Sequence, residues 1–302
     1  MNIPPELVRR AAEVRGAAGI EWLQRLPSIV AACEQRWRLT AGRSFANLTY
    51  NYVAPAFRAD GTGAVLKINF PDKEFTSEAG ALRLFDGRGA ARLLEADLEH
   101  GALLLERLEP GTSLVDLEDD EEATSIAARV MQDLWRPLPA DHHFPTVADW
   151  GHGFGRIRSQ FGGGSGPLPA GLFDEAERLY AELLNSSAEP VLLHGDLHHD
   201  NILAARRAPW LAIDPKGLAG EPVYETGAFL RNWLPHLLAE PDPRRILARR
   251  VDQFAEELQV DRARVRGWGF AQAVLSACWT VEDHRRGWEP AIACAEYLAP
   301  LR

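Results

Sequence analysis

Hydrophobic and polar positions follow two periods along this chain, and the changes of period divide it into segments. Residues 1–40 carry the helical period: Ile29, Val30, Cys33 and Trp37 fall near one face, and Pro27 with Ser28 marks a start. This stretch is expected to be a helical appendage that packs against the rest. From Thr49 the texture turns to strand. Residues 49–57 are rich in β-formers, Ala59-Asp60-Gly61-Thr62-Gly63 is turn chemistry, and residues 64–70 supply a second strand. Ala81, Leu82 and Phe85 restore helical spacing over 78–85, and Asp86-Gly87-Arg88-Gly89 ends it. Strands over 91–96 and 102–107, joined at Glu99-His100-Gly101, complete a small antiparallel sheet with one helix across residues 41–108.

Past Pro110-Gly111 the period is mostly helical, with helices predicted over 118–135, 171–186, 223–239, 243–258 and 261–281. Within this second part, residues 201–204 and 210–213 are two short strands around a turn at 205–209, a hairpin whose open ends come together. The glycine-rich stretch 151–166 reads as a flexible insertion bordering a substrate entrance. The fold class is therefore α+β, with two lobes around one cleft: a sheet lobe at 41–108 and a larger, mainly helical lobe at 109–302.

Composition narrows the partners. The 302 residues are 46% hydrophobic and 25% charged, as in a soluble globular protein. No apolar run approaches the roughly 20 residues that span a bilayer. Met1-Asn2-Ile3-Pro4-Pro5 lacks the basic and apolar regions of a signal peptide, so a cytoplasmic location and no membrane partner are expected. Cys33, Cys278 and Cys294 have no metal-binding or disulfide spacing and read as buried thiols. A formal charge of −10 argues against nucleic acid and suits a cationic small molecule, although acidity also serves solubility. A monomer is expected.

The chemistry concentrates in 191-VLLHGDLHHDNILAARRAPWLAIDP-215. Asp196 follows an apolar strand, Asn201 comes five positions later, and Asp214 ends the second strand of the hairpin. Phosphoryl transfer needs an acceptor for the hydroxyl proton and hard oxygen ligands for Mg²⁺, and protein-kinase catalytic loops use an Asp and an Asn at this spacing. Asp196 is the expected base, with Asn201 and Asp214 as metal ligands. Lys67 lies in an apolar strand, where an ammonium group is costly unless paired, and Glu78 is its natural partner, a pair suited to nucleotide phosphates. Main-chain groups at Glu106, Arg107 and Leu108 are expected to meet a planar base edge. The segment 42–48 has a single glycine, so a phosphate cradle there would rest on main-chain N–H groups and Ser44 or Asn47. His194 is expected to brace the turn that carries Asp196. A rival set, His194, Asp196, His198 and Asp214 on a transition metal, leaves Asn201, Lys67 and Glu78 without roles. A nucleotide-binding regulator without turnover would not need so complete a set. A protein-directed kinase lacks its activation segment, because residues 215–222 lead directly into the next helix.

With those residues placed, the chain resembles the aminoglycoside phosphotransferase superfamily, whose catalytic segment reads H-G-D-x-H-x-x-N followed by a strand ending in I-D. Here these are His194-Gly195-Asp196-Leu197-His198-His199-Asp200-Asn201 and Ile213-Asp214. Within it the chain is most similar to the streptomycin 6-kinase and hydroxyurea phosphotransferase branch, through Leu197 to Ile202, Asp214 to Pro222, Gly87 to Leu94 and Leu104 to Arg107. The resemblance runs from about residue 20 almost to the end. It implies a two-lobed kinase-like fold, ATP and Mg²⁺ as cosubstrates, and a streptomycin-like hydroxyl acceptor. If a guanidinium-bearing aminocyclitol is the acceptor, Trp279, Glu282 and Asp283 offer an aromatic face and two acids, though a solvated helix end would use the same residues. Glu221 and Glu225 stand ready to steady the segment after Asp214, where relatives often have aspartate.

Overall fold

A computed structural model of the chain describes residues 3–46, 48, 50–232 and 234–301. Helix α1 (Pro5–Trp37) is broken at Gly16, whose φ of 55° and ψ of −133° suit only glycine. Beyond the break Gly19 packs back on Ala11, whose carbonyl a side chain at Gly19 would strike. The helix does not start at Pro27, as the sequence predicts. It starts at Pro5 and carries Pro27 inside. The buried stripe of Trp22, Leu23 and Leu26 extends that of Ile29, Val30 and Cys33 upstream, and this packing outweighs the proline's cost of about 3 kcal/mol.

Strands β1 (Leu39–Ala41), β2 (Tyr52–Arg58), β3 (Gly63–Ile68), β4 (Leu93–Asp97) and β5 (Ala102–Glu106) form an antiparallel sheet in the order β1-β2-β3-β5-β4. Alternation along β3 sends Ala64, Leu66 and Ile68 into the cluster shared with α1, and Val65 to the other face. Lys67, between Val53 and Leu103 in register, joins Val65 on that second face, against helix α2 (Lys73–Phe85). The side chain of Asp72 caps α2 by accepting from Phe75 N (3.0 Å), so the helix begins upstream of the predicted residue 78 and Glu78 sits mid-helix.

The second lobe is built around α9 (Arg262–His284). First come β6 (Pro110–Ser113), α3 (Asp120–Leu134), β7 (Arg136–Pro137), α4 (Val147–Gln160) and α5 (Ala170–Asn185). Strands β8 (Val191–Leu193), β9 (Ile202–Ala205), β10 (Trp210–Ala212) and β11 (Leu218–Gly220) carry the motif segment. The predicted hairpin forms, with Ala204 opposite Trp210 and Ile202 opposite Ala212. The predicted helix 223–239 is in pieces: a tight turn at Pro222–Glu225, then α6 (Thr226–Leu230) and α7 (Leu234–Leu237). Next are α8 (Pro243–Glu257), α9 itself, and α10 (Glu289–Leu298), which lies outside the predicted elements. Trp268, Phe270, Val274, Leu275 and Cys278 of α9 are fully buried on several faces, which marks it as the lobe's central helix.

Residues 151–160 are helix, not a flexible insertion. Thr146 and Asp149 form a reciprocal cap, and Val147, Phe154 and Ile157 are buried. The glycines serve packing: a Cβ at Gly151 would lie 2.6 Å from Tyr180, and one at Gly153 would lie 2.7 Å from Leu275. Only after Phe161 does the glycine run turn, at positive φ on Gly162, Gly163 and Gly166. No described helix is long and apolar enough to cross a membrane.

Candidate active site between the lobes

Two cavities meet at Asp196. One, of about 1180 Å³, is lined by Lys67, Glu78, Asp196, Asn201 and Asp214. The other, of about 1760 Å³, opens between α2 and the α4–α9 face and is lined by Trp150, Arg231, Trp279 and Asp283. Tyr50, Glu74, Asp196, Lys216 and Asp283 border both.

The turn after β8 holds its shape through buried hydrogen bonds. Glu225 accepts from the N–H of His194 (2.6 Å) and of Gly195 (2.9 Å). His194 donates from Nε2 to the carbonyl of Ile213 (2.8 Å), and its Nδ1 faces the N–H of Asp196 (3.2 Å). Burial pushes His194 down to about 4, so it is neutral and this tautomer is the one the partners require. Its carbonyl accepts from Lys216 N (2.7 Å), which ties the Asp196 turn to the segment after β10. Asp214 has φ 63°, a left-handed conformation that points its carboxylate back toward Lys67.

Lys67 Nζ donates to Glu78 Oε1 (2.6 Å) and to Asp214 Oδ1. Burial works against the ammonium, but Asp214 and Glu78 outweigh it and raise Lys67. For Asp214 burial is likewise overcome, by Lys67 and then Lys216, which hold it well below the carboxylate range. Burial also opposes ionisation of Asp196, yet Arg231, His198 and Lys216 keep its carboxyl low. Asn201 donates through Nδ2 to the Asp196 carbonyl (2.9 Å), and its amide oxygen makes no hydrogen bond among the described residues. That oxygen and Asp214 Oδ2 are hard donors of the kind Mg²⁺ favours. Among the described residues no group of three or more His, Cys, Asp or Glu side chains suits a metal ion, which gives the His-rich transition-metal set no geometric support.

Other expected positions divide. Glu106, Arg107 and Leu108 line the first cavity, but the Glu106 N–H is not free. It donates to Arg92 O (2.9 Å), and the Glu106 carboxylate is held by Arg207 (2.9 Å). Asn47 lies outside the described residues. Trp279 and Asp283 reach the second cavity, whereas Glu282 is paired with Arg156 (2.7 Å) and does not line it. Glu225 steadies the Asp196 turn itself, while Glu221 binds Arg264 (2.8 Å) and the Trp268 indole at the far side of the lobe. Arg231, which donates to Asp196 Oδ1 (3.0 Å), and Trp150, stacked edge-on with Trp279 at 5.3 Å, were not picked out by the sequence. The available signal for Arg231 was a charge beside the apolar run Ala228-Phe229-Leu230, which demands a partner.

Residues 36–284 match the family described as aminoglycoside/hydroxyurea antibiotic resistance kinase. The chain belongs to that family. This kinase is 34% identical to the streptomycin 6-kinase of Streptomyces griseus, over 99% of its own length and 97% of the relative's. It is 38% identical to the hydroxyurea phosphotransferase of Kitasatospora aureofaciens, over 94% and 81%. A choline/ethanolamine kinase family protein from Mesorhizobium loti shares the fold with a TM-score of 0.65 at 15% identity, over 93% and 94% of the two chains. An aminoglycoside phosphotransferase in ternary complex with ADP and hygromycin B does so at 0.63 and 14%, over 91% and 97%. The kinase is thus a small-molecule phosphotransferase of the kind that acts on hydroxyl groups, in a two-lobed kinase-like fold.

Proposed function

We propose that this kinase transfers the γ-phosphoryl group of ATP to a hydroxyl of an aminoglycoside-like, streptomycin-type acceptor. The observation that carries the reading is the convergence of Asp196, Asn201, Asp214 and Lys67 on one cavity, with a second and larger cavity opening on Asp196 from the other side. ATP occupies the first cavity, its phosphates against Lys67 as positioned by Glu78, and its base beside the 106–108 connector. Asn201 and Asp214 would hold Mg²⁺, which supplies neutralisation of charge on the phosphate oxygens.

Asp196 orients the acceptor hydroxyl and takes its proton as the new bond forms. A carboxylate held below the ordinary range is a weak base, which suits a loose transition state where the proton leaves late. His194 and Glu225 keep the turn in place and touch no reactant. Catalysis by positioning can supply about 7–11 kcal/mol of the barrier, so rigidity of this turn matters more than its basicity.

The acceptor side favours a multi-ring cation. At about 1760 Å³ the second cavity exceeds the roughly 300–1,000 Å³ typical of drug-sized ligands, far more than hydroxyurea needs. Asp283 makes no hydrogen bond or ion pair among the described residues, and Trp279 and Trp150 give it an aromatic floor. ADP release measured against streptomycin, other aminoglycosides, neutral amino sugars and hydroxyurea tests the reading. Turnover confined to the cyclitol-guanidine acceptors is expected; turnover on hydroxyurea alone would replace the acceptor, and none on any would defeat the proposal.

A further inference from the structure

The charged groups around Asp196 are nearly all committed to one another. Lys67 is held by Glu78 and Asp214, Lys216 by Glu74 (2.6 Å), and Arg156 by Glu282 (2.7 Å). Arg231 differs. Its side chain is 9% exposed and lines the acceptor cavity, and its hydrogen bonding consists of Nη2 to Asp196 Oδ1 at 3.0 Å. The Nε–H is buried without a partner, and Nη1 makes no hydrogen bond among the described residues. A guanidinium with unmet donors costs about 1–3 kcal/mol for each buried group left unpaired, so its retention at this spot calls for a ligand.

We infer that Arg231 is a catalytic residue of the transfer step: its guanidinium fixes Asp196 by Oδ1 and gives its unpartnered Nη1–H to an oxygen of the migrating phosphoryl group. The inference rests on the kinase reading above. With Oδ1 taken by Arg231, the remaining Asp196 oxygen, Oδ2, has His198 Nε2 at 3.6 Å as its neighbour and is the one available to an acceptor hydroxyl. In the step, the acceptor oxygen forms its bond to the γ-phosphorus as the bond from phosphorus to the bridging oxygen breaks. That bond's electron pair leaves with ADP, and the hydroxyl proton passes to Asp196 Oδ2. Arg231 stays protonated throughout, and its fork spans the carboxylate and the phosphoryl oxygens, a geometry that a lysine ammonium does not reproduce. The guanidinium carbon lies over the ring of Trp279, 5.9 Å from its centroid.

The same placement makes a statement about the acceptor. A cationic group on the acceptor cannot sit next to the phosphorylated hydroxyl, where Arg231 would repel it, and belongs instead toward Asp283.

The test uses the full chain with Mg·ATP and the best acceptor from the ADP-release panel. Arg231→Ala is expected to lower kcat about 10²–10³-fold, as loss of a preorganised transition-state donor does, with KM for ATP and acceptor within about threefold. Added guanidinium ion should restore at least tenfold of the loss, which a merely structural role would not permit. Arg231→Lys, which keeps the charge beside Asp196 and guards against misfolding of the alanine variant, should remain at least tenfold down in kcat. Unchanged kcat in Arg231→Ala overturns the inference alone. So does a loss that appears only as higher KM, or one that guanidinium leaves untouched while Arg231→Lys is fully active. A wild-type chain that binds no nucleotide and releases no ADP overturns the kinase reading and this inference together.

Discussion

The two cavities that meet at Asp196 are built on opposite plans. On the Lys67 side the groups around the ammonium are matched: Lys67 with Glu78 and Asp214, the Asn69 amide N–H with Glu78, and the Asn201 amide N–H with the Asp196 main chain. These groups are held by a β-strand, the capped helix α2 and a two-stranded hairpin. On the Trp279 side Arg156 and Glu282 pair with each other, whereas the exposed Asp283 and much of Arg231 have no hydrogen-bonded partner among the described residues. The contrast separates a site that is finished before its ligand arrives from one that the ligand completes. A constant cosubstrate suits the first plan and a variable acceptor the second.

The largest blow to both cavities at once is the loss of the group they share. Asp196→Asn keeps the size of the side chain and an oxygen for Arg231, yet offers the hydroxyl no proton acceptor. Transfer should fall by about 10³-fold or more in kcat, since an acid–base group typically contributes 10²–10⁴. Calorimetric affinity for Mg·ADP should stay within a few-fold of wild type. Persistent turnover in this variant would show that the cavities do not meet in chemistry.

Lys67→Met attacks the finished side alone. It leaves Glu78 and Asp214 without their cation, and breaking a buried pair costs about 3–5 kcal/mol. Asp214 is 38% exposed, so the low end of that range, about 3 kcal/mol, is expected in denaturant melts. Nucleotide affinity should drop about 10²-fold, equivalent to about 2.7 kcal/mol, while the acceptor KM moves little. A variant as stable as wild type would mean that the matched charges are a surface arrangement.

Asp283→Asn is the corresponding change on the unfinished side. Removing one unmatched carboxylate should raise KM for a cationic acceptor about tenfold, or 1.4 kcal/mol, and leave folding stability within about 0.5 kcal/mol. Neutral acceptors should be indifferent. An equal effect on neutral and cationic acceptors would reduce Asp283 to a structural residue.

The same division governs what the amino-acid sequence reveals. The finished side is legible because its parts are local: a β-hairpin defined by residues 201–213 and an ion pair eleven residues apart, each forced by the cost of an unpaired charge in an apolar segment. Its blind spots are main-chain details, such as the Glu106 N–H already used by Arg92. The other side gathers Trp150, Arg231, Trp279 and Asp283 from three helical segments far apart in the chain, and nothing in the local pattern of any one names the others. The glycines of α4 mislead for the same reason, since their meaning depends on Tyr180 and Leu275 across the lobe.

Paired substitutions in α4 sharpen that last point. Gly153→Ala puts a methyl 2.7 Å from Leu275 Cδ1 and 3.1 Å from Trp279 Nε1, so it should cost about 1–3 kcal/mol and disturb acceptor binding through Trp279. At Gly155 a Cβ meets nothing within 4 Å, and the residue is exposed in a helix interior. Gly155→Ala should therefore stabilise the protein by about 0.5–1 kcal/mol. If both changes are neutral, 151–160 behaves as the loop that its glycines advertise.

The remaining prediction concerns the brace beneath both cavities. Glu225 is buried, and although the N–H groups of His194 and Gly195 favour its charged form, burial dominates and pushes it up to about 7. The ordinary value is about 4.3, so between the two the folded chain binds more protons than the unfolded one, and stability falls as pH rises through that window. In Glu225→Gln this titration is absent, and the amide can serve only one of the two N–H donors. The stability of wild type relative to Glu225→Gln should therefore be greatest near pH 5 and fall by pH 8. Denaturant melts of both proteins at the two pH values measure the difference. An advantage that grows with pH would mean that the two main-chain donors outweigh burial, and that the turn under Asp196 is held by a carboxylate already charged in acid.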